Sequence, residues 1–154
     1  MPKLYILCGI SSSGKSTWAK GFLMDAIYIS RDEIRFSMLK HGENYFEHET
    51  EVYKEFIREI TLALENGYDV IADATHINRS SRSKLTRAID QFYTNYQIVY
   101  VVFKTPLEEC QRRNQERTGL AKVPPVAIQT MYDRFSAPTL DEDARAIDII
   151  EGSK

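Results

Sequence analysis

Cysteine is scarce in this chain: Cys8 and Cys110 are the only two, far apart and without metal-ligand spacing. Neither a disulfide framework nor a zinc site organises such a sequence, and both thiols are expected to be reduced, buried small hydrophobes in a reducing, cytosolic setting. A dominant charge of one sign is lacking too. With a formal net charge of −2, any nucleic-acid partner has to be held by a local patch, in modest and salt-sensitive binding. Long apolar runs are missing: the apolar opening is far too short to span a bilayer and carries neither a basic leader nor a small-residue cleavage site. No membrane association or signal peptide is expected, and a cytoplasmic location is. Glycine and proline (7 and 5 residues) form no linker or low-complexity tract, and no internal repeat is visible. One domain over 1–154 is expected, with no feature deciding the oligomeric state.

What is present is an alternation. Strands are expected at 3–8, 26–29, 68–72, 97–103 and 147–150, where short apolar runs are bounded by turn residues. Helices are expected at 15–24, 30–40, 48–66, 80–93, 106–117 and 126–135. Ser30-Arg31-Asp32-Glu33 matches a capping box, His41-Gly42 ends that helix, and Asn66-Gly67 supplies a left-handed stop. Pro106 suits the first position of its helix. Alternation of this kind predicts an α/β three-layer sandwich with a mainly parallel sheet of about four or five strands, helices on both faces, and a ligand crevice beyond the carboxyl ends of the strands. The loops after Cys8, Ile29, Ala72 and Phe103 should converge there.

The first of these loops, Gly9-Ile10-Ser11-Ser12-Ser13-Gly14-Lys15-Ser16, fits G-x-x-x-x-G-K-[ST] in full, between a strand and a helix as that phosphate-binding motif requires. The match would arise by chance about once in two hundred chains of this length and composition, so a coincidental flexible turn is set aside. Gly9, Ser11, Ser12, Ser13, Gly14 and Thr17 are expected to wrap backbone N–H groups around the phosphates of ATP, Lys15 to reach the outer phosphates, and Ser16 to ligate Mg²⁺. The fold expected is that of a P-loop NTPase of the nucleotide-kinase type.

Asp32 and Arg35, three residues apart at a helix start, project from one face near this loop. A kinase needs a carboxylate to take the acceptor's proton and a cation for an anionic group on the acceptor, and these two can serve. The bland alternative is a carboxylate favoured by the helix macrodipole, but Ser30 and Glu33 already account for the cap, which leaves Asp32 for chemistry. Arg112, Arg113 and Arg117 lie on one helix before the loop Thr118-Gly119-Leu120-Ala121-Lys122. Glu108 with Arg112 and Glu109 with Arg113 are favourable i,i+4 pairs, as on a solvated face. Arg117 instead has Arg113 at i−4, a repulsive spacing unless an anion lies between them. The segment at about 117–125 therefore reads as a mobile lid that brings Arg117, with Arg113, onto the transferring phosphate.

Asp73, after the third strand, is placed either near the metal through a water or at the acceptor; an Asx turn is the structural alternative. Asp32 could also reach the metal through a water. His76 reads as a loop residue, and His41 and His48 form no ligand set.

Four segments carry a family resemblance. "GISSSGKSTWA", "ISRDEIRFSM", "DATHINRSSR" and "RRNQERTGLAKVPPVAIQTMYDRF" resemble the phosphate loop, the R-D-[DE]-x-R segment, the D-x-T-x-x-N turn and the arginine-bearing lid of the bacteriophage-type polynucleotide kinases. That family transfers the γ-phosphate of ATP to 5′-hydroxyl ends of DNA or RNA. The resemblance implies that Lys15 and Ser16 bind triphosphate and Mg²⁺, that Asp32 is the general base, that Arg35 holds the phosphate on the 3′ side of the acceptor nucleotide, and that Arg117 is the lid arginine. Asp73 and Thr75 belong to its D-x-T turn and are taken as acceptor-binding. Ser11-Ser12 stand where Pro-Gly is common in that loop, Thr118 lengthens the lid by a residue, and no D-x-D-x-T phosphatase motif is present, so 3′-end phosphatase activity is not expected. Two other readings stay open: a P-loop kinase of a small acceptor (nucleoside, sugar or nucleotide sugar), and a nucleotide-binding module with little turnover.

Overall fold

In a computed structural model, which describes residues 1–22, 25–142 and 146–151, β1 (Lys3–Cys8) forms the centre of a sheet. It lies between β3 (Asp69–Asp73) and β4 (Gln97–Phe103), with β2 (Ala26–Ser30) and β5 (Ala146–Ile150) outside them. The order is β2-β3-β1-β4-β5 and every pairing is parallel. Parallel strands need crossovers, and the helices supply them. β1 and β4 are near-continuous apolar runs because both of their faces are covered; β5, at the edge, is largely exposed. The expected α/β P-loop fold is therefore the observed one.

On one face, α3 (Glu49–Glu65) and α4 (Arg79–Asp90) bring Val52, Phe56, Ile60, Leu64, Leu85 and Ile89 onto Leu4, Ile6, Val70 and Tyr100. The recurrence of Val52, Phe56 and Ile60 at helical spacing is what commits α3 to this face. On the other, α1 (Lys15–Lys20) and the residues just after it set Trp18, Ala19 and Phe22 against Tyr5, Leu7 and Phe103. Beyond the carboxyl ends of the strands lie α2 (Arg31–Met38), α5 (Leu107–Gln115) and α6 (Pro125–Arg134). A third cluster of Ile10, Cys110 and Ile128 fastens α5 and α6 to the phosphate loop. No helix among the described residues is long and apolar enough to cross a membrane.

Local differences from expectation have local causes. Helix α1 stops at Gly21, whose N–H reaches back to Thr17 and Trp18; positions 23 and 24 of the expected helix lie outside the described residues. The third strand begins at Asp69 because Tyr68 N–H closes onto Ala63 O while Gly67, at φ 84°, closes onto Leu64 O, a two-bond stop that uses up Tyr68. Helix α4 opens one residue early, since Asn78 Oδ1 accepts from Ser81 N and caps it. Pro106 is the capping residue of α5 and not its first helical one. Cys8 and Cys110 are both free and buried, and burial pushes the Cys8 thiol up to about 12, which makes it inert.

Candidate active site

The phosphate loop turns through two left-handed residues, Ser12 (φ 67°) and Gly14 (φ 102°). Gly9 has to lack a side chain: a Cβ there would lie 2.6 Å from Ser13 Oγ and 3.0 Å from Phe103 Cβ. Thr105, in the loop after β4, supports the turn from below by donating to Ser13 O at 2.6 Å. The first bond into α1 is Trp18 N to Gly14 O, so the N–H groups of its first turn have no intrahelical acceptor. Ser12 Oγ and Ser13 Oγ are buried without a hydrogen-bond partner among the described residues. Orphaned buried hydroxyls are rare and point to an acceptor that arrives with a ligand. Lys15 is buried and donates to Ile10 O at 2.9 Å. Burial pulls its ammonium pKa down, Asp73 and Asp32 pull it back up, and Arg117 lowers it further. Small residues, orphaned donors and a buried cation together fit the triphosphate of ATP.

Beside this cradle, Ser16 Oγ donates to Asp73 Oδ2 at 2.7 Å. Tyr28 donates to the same oxygen at 2.5 Å, and its phenol is raised well above the usual range by burial and by that carboxylate. A serine hydroxyl and a carboxylate so paired at the end of a central strand suit a hydrated Mg²⁺. The loop after β3 is tied to the phosphate loop by Gly9 N to Thr75 O, 3.0 Å.

Asp32, Arg35 and Asp73 line one cleft of about 590 Å³ together with Ser11, Ser12, Lys15, Ser16, Thr75 and Arg117. Helix α2 is capped by Ser30 Oγ accepting from Glu33 N, which leaves Asp32 free of the cap. Arg35 is held on three sides. Its Nε and Nη2 donate to Glu49 at 2.7 Å each, and its Nη1 donates to Asp32 Oδ1 and, at 2.8 Å, to the Tyr45 hydroxyl. Tyr45 in turn donates to Asp32 Oδ1 at 2.7 Å. Burial disfavours the charge on Arg35, but Glu49, Tyr45 and Asp32 together outweigh it and the guanidinium pKa is raised. The arrangement presents a carboxylate in fixed orientation near the phosphate cradle, the geometry a general base needs.

Arg117 reaches the cleft from the segment between α5 and α6, with Nη1 3.4 Å from Ala121 O. That segment contains a short 3₁₀ turn, Gly119–Ala121, and its far end is clamped by Asn114, whose side chain donates to Val123 O (2.6 Å) and accepts from Val123 N (2.9 Å). Arg113 points under the phosphate loop, Nη1 3.3 Å from Ser12 O, and pairs with Glu109 as its spacing suggests. The expected Glu108–Arg112 pair is replaced: Arg112 bridges Glu109 and Glu116. Of the residues expected around the phosphates, Gly9, Ser13, Gly14, Thr17 and Arg113 are not among the cleft-lining residues.

Sequence reasoning missed Tyr28, Tyr45, Phe46 and Glu49. Glu49 has no local signal, being 14 residues from the arginine it holds. Two adjacent aromatics in the polar stretch Gly42–His48 were a usable hint, since such rings in a loop are often functional. His76 is no plain loop residue. It is buried at φ 42°, donates Nδ1–H to Leu7 O at 2.7 Å and stacks on Phe56. Arg82 is buried too, pairing with Glu142 and capping the carbonyls of His76 and Ser136. Both are braces for the loop that carries Asp73 and Thr75.

The chain is 37% identical over 147 residues to the L-seryl-tRNA(Sec) kinase of Methanococcus maripaludis, covering 88% of this chain and 53% of that protein. It is 27% identical over 151 residues to a protein of Autographa californica nuclear polyhedrosis virus described as a bifunctional polynucleotide kinase/RNA ligase, covering 86% and 21%. Among solved structures, the Pnkp1/Rnl/Hen1 RNA repair complex contains a chain that superposes with a TM-score of 0.74 at 28% identity, over 86% of this chain and 43% of that one. The chain thus spans about half the length, or less, of these relatives. Residues 4–138 match the sequence model of the AAA domain family, AAA_33, and the chain belongs to that family, as a P-loop kinase domain.

Proposed function

We propose that this chain is an ATP-dependent kinase of polynucleotide 5′-hydroxyl ends, DNA or RNA, in which 1–154 act as one kinase domain and 117–125 as its lid. The observation that carries the reading is Asp32: a carboxylate fixed by Arg35 and Tyr45 in the same cleft as Lys15 and Ser16. A module that only bound nucleotide would have no use for it. In this reading Gly9, Ser11, Ser12, Ser13, Gly14 and Thr17 shape the loop around the phosphates, and Lys15, Arg113 and Arg117 place positive charge about the transferring group. Ser16 and Asp73 are the residues that would hold Mg²⁺, which would supply charge withdrawal from the phosphate oxygens. Asp32 takes the proton of the acceptor hydroxyl. Arg35 and Thr75 hold the acceptor.

The similarity to a polynucleotide kinase/RNA ligase and to a chain of an RNA repair complex supports a nucleic-acid acceptor. The 37% identity to an L-seryl-tRNA(Sec) kinase favours a second reading, in which the hydroxyl belongs to a seryl group carried on tRNA. Both readings assign the same roles to the same residues. The test incubates the protein with γ-labelled ATP, Mg²⁺ and one of three acceptors: a 5′-hydroxyl oligonucleotide, its 5′-phosphate counterpart, or seryl-tRNA. Label on the 5′-hydroxyl oligonucleotide alone, lost in Asp32→Ala, is the expected result. Label on seryl-tRNA alone would move the assignment to the second reading.

A further inference from the structure

Phe46 stands at the rim of the cleft with 69% of its surface exposed. It packs edge-on against Tyr45, ring centroids 4.7 Å apart at 84°, and Tyr45 is edge-on in turn to Phe36. Tyr45 is pinned from behind, with the Arg35 guanidinium 4.4 Å from its ring centroid and its hydroxyl on Asp32. This aromatic step is therefore indexed to the carboxylate that would meet the acceptor hydroxyl. Leu120, Val123 and Met131 line the same cleft, which adds apolar surface to it.

We propose that Phe46, held edge-on by Tyr45, forms a stacking ledge for the nucleobase of the acceptor's terminal nucleotide, making the site select a hydroxyl one sugar away from a planar base. This rests on the polynucleotide-kinase reading above. Stacking on an aromatic ring tolerates any base, because every base has a π face. It also explains how a chain of net charge −2 grips a nucleic-acid end without a broad basic field. A free sugar offers no planar face and gains nothing from the ledge.

The test uses two 5′-hydroxyl oligonucleotides that differ only in whether the 5′-terminal sugar carries a base. Transfer from ATP is measured for each, and binding of each is measured by fluorescence anisotropy with Mg²⁺ and ADP. In the wild type, removing the base should raise acceptor KM and Kd about tenfold, within the range for one stacked base. Phe46→Ala should weaken the base-bearing acceptor about tenfold, leave the abasic one where it was, and leave KM for ATP unchanged. Phe46→Trp should restore the difference. Equal weakening of both acceptors by Phe46→Ala, or none, overturns the ledge. Should no oligonucleotide accept phosphate, the kinase reading falls by itself. The binding arm then still decides the ledge: base-dependent binding lost in Phe46→Ala upholds it, and base-independent or undetectable binding overturns it.

Discussion

Arg35 and Glu49 meet fork to fork: Nε donates to Oε2 and Nη2 to Oε1, each at 2.7 Å, with only 7% of the arginine side chain exposed. Removing the carboxylate strands a buried cation and frees the group that orients Asp32. Glu49→Ala is expected to lose about 2–4 kcal/mol of stability and to lower kcat of transfer about 10- to 100-fold. Glu49→Gln, which keeps the shape but not the charge, should fall between. Urea unfolding and steady-state kinetics read the two effects, and an alanine variant equal to wild type in both would remove the fork from the catalytic machinery.

Asp32 is outside the cap of α2 and outside the phosphate cradle, so its loss should separate chemistry from nucleotide binding. Asp32→Ala should reduce transfer by about 10² to 10⁴-fold, the range of a lost general base, while the Kd of a non-hydrolysable ATP analogue stays within about twofold of wild type. Loss of both together would mark Asp32 as structural.

The Ser16–Asp73 bond at 2.7 Å makes a specific prediction for metal dependence. Ser16→Thr should retain activity, because the phosphate-loop pattern accepts either hydroxyl. Ser16→Ala should raise the Mg²⁺ concentration needed for half-maximal transfer, by about tenfold for a loss of roughly 1.4 kcal/mol. Identical Mg²⁺ titrations for the two variants would overturn the assignment of Ser16 to the metal.

His76 links stability to pH. Burial lowers its pKa from 6.5 to about 4, against the hydrogen bond to Leu7 O and with the nearby Arg31, Lys15 and Arg82 adding to the fall. The unfolded chain therefore binds a proton that the folded chain refuses. The contribution of neutral His76 is fully present above about pH 6.5 and is lost as pH falls toward 4, by up to ~3 kcal/mol. Asparagine tolerates the positive φ at this position, so His76→Asn should be less stable at neutral pH but flatter between pH 6.5 and 4. Denaturant midpoints across that window check it, and equal slopes for the two proteins would exclude His76 as the cause.

The identity of α3 and the run of strands were legible because burial writes itself into the sequence: on one face as the helical recurrence of Val52, Phe56 and Ile60, on both faces as the unbroken apolar run from Ile98 to Phe103. Element ends were less so, since Tyr68 and Asn78 are spent on helix caps whose hydrogen bonds leave no period.

The phosphate loop was determined by the sequence itself, for its chemistry is local: a strand, a turn needing Gly9 and Gly14, and a helix whose first residues are Lys15 and Ser16. The acceptor side was decided only by tertiary structure. Ser16 meets Asp73 across 57 residues of sequence, Tyr45 meets Asp32 across 13 and Glu49 meets Arg35 across 14. Such pairs are set by the order β2-β3-β1 and by how α2 and α3 cross, and residue spacing carries no record of either.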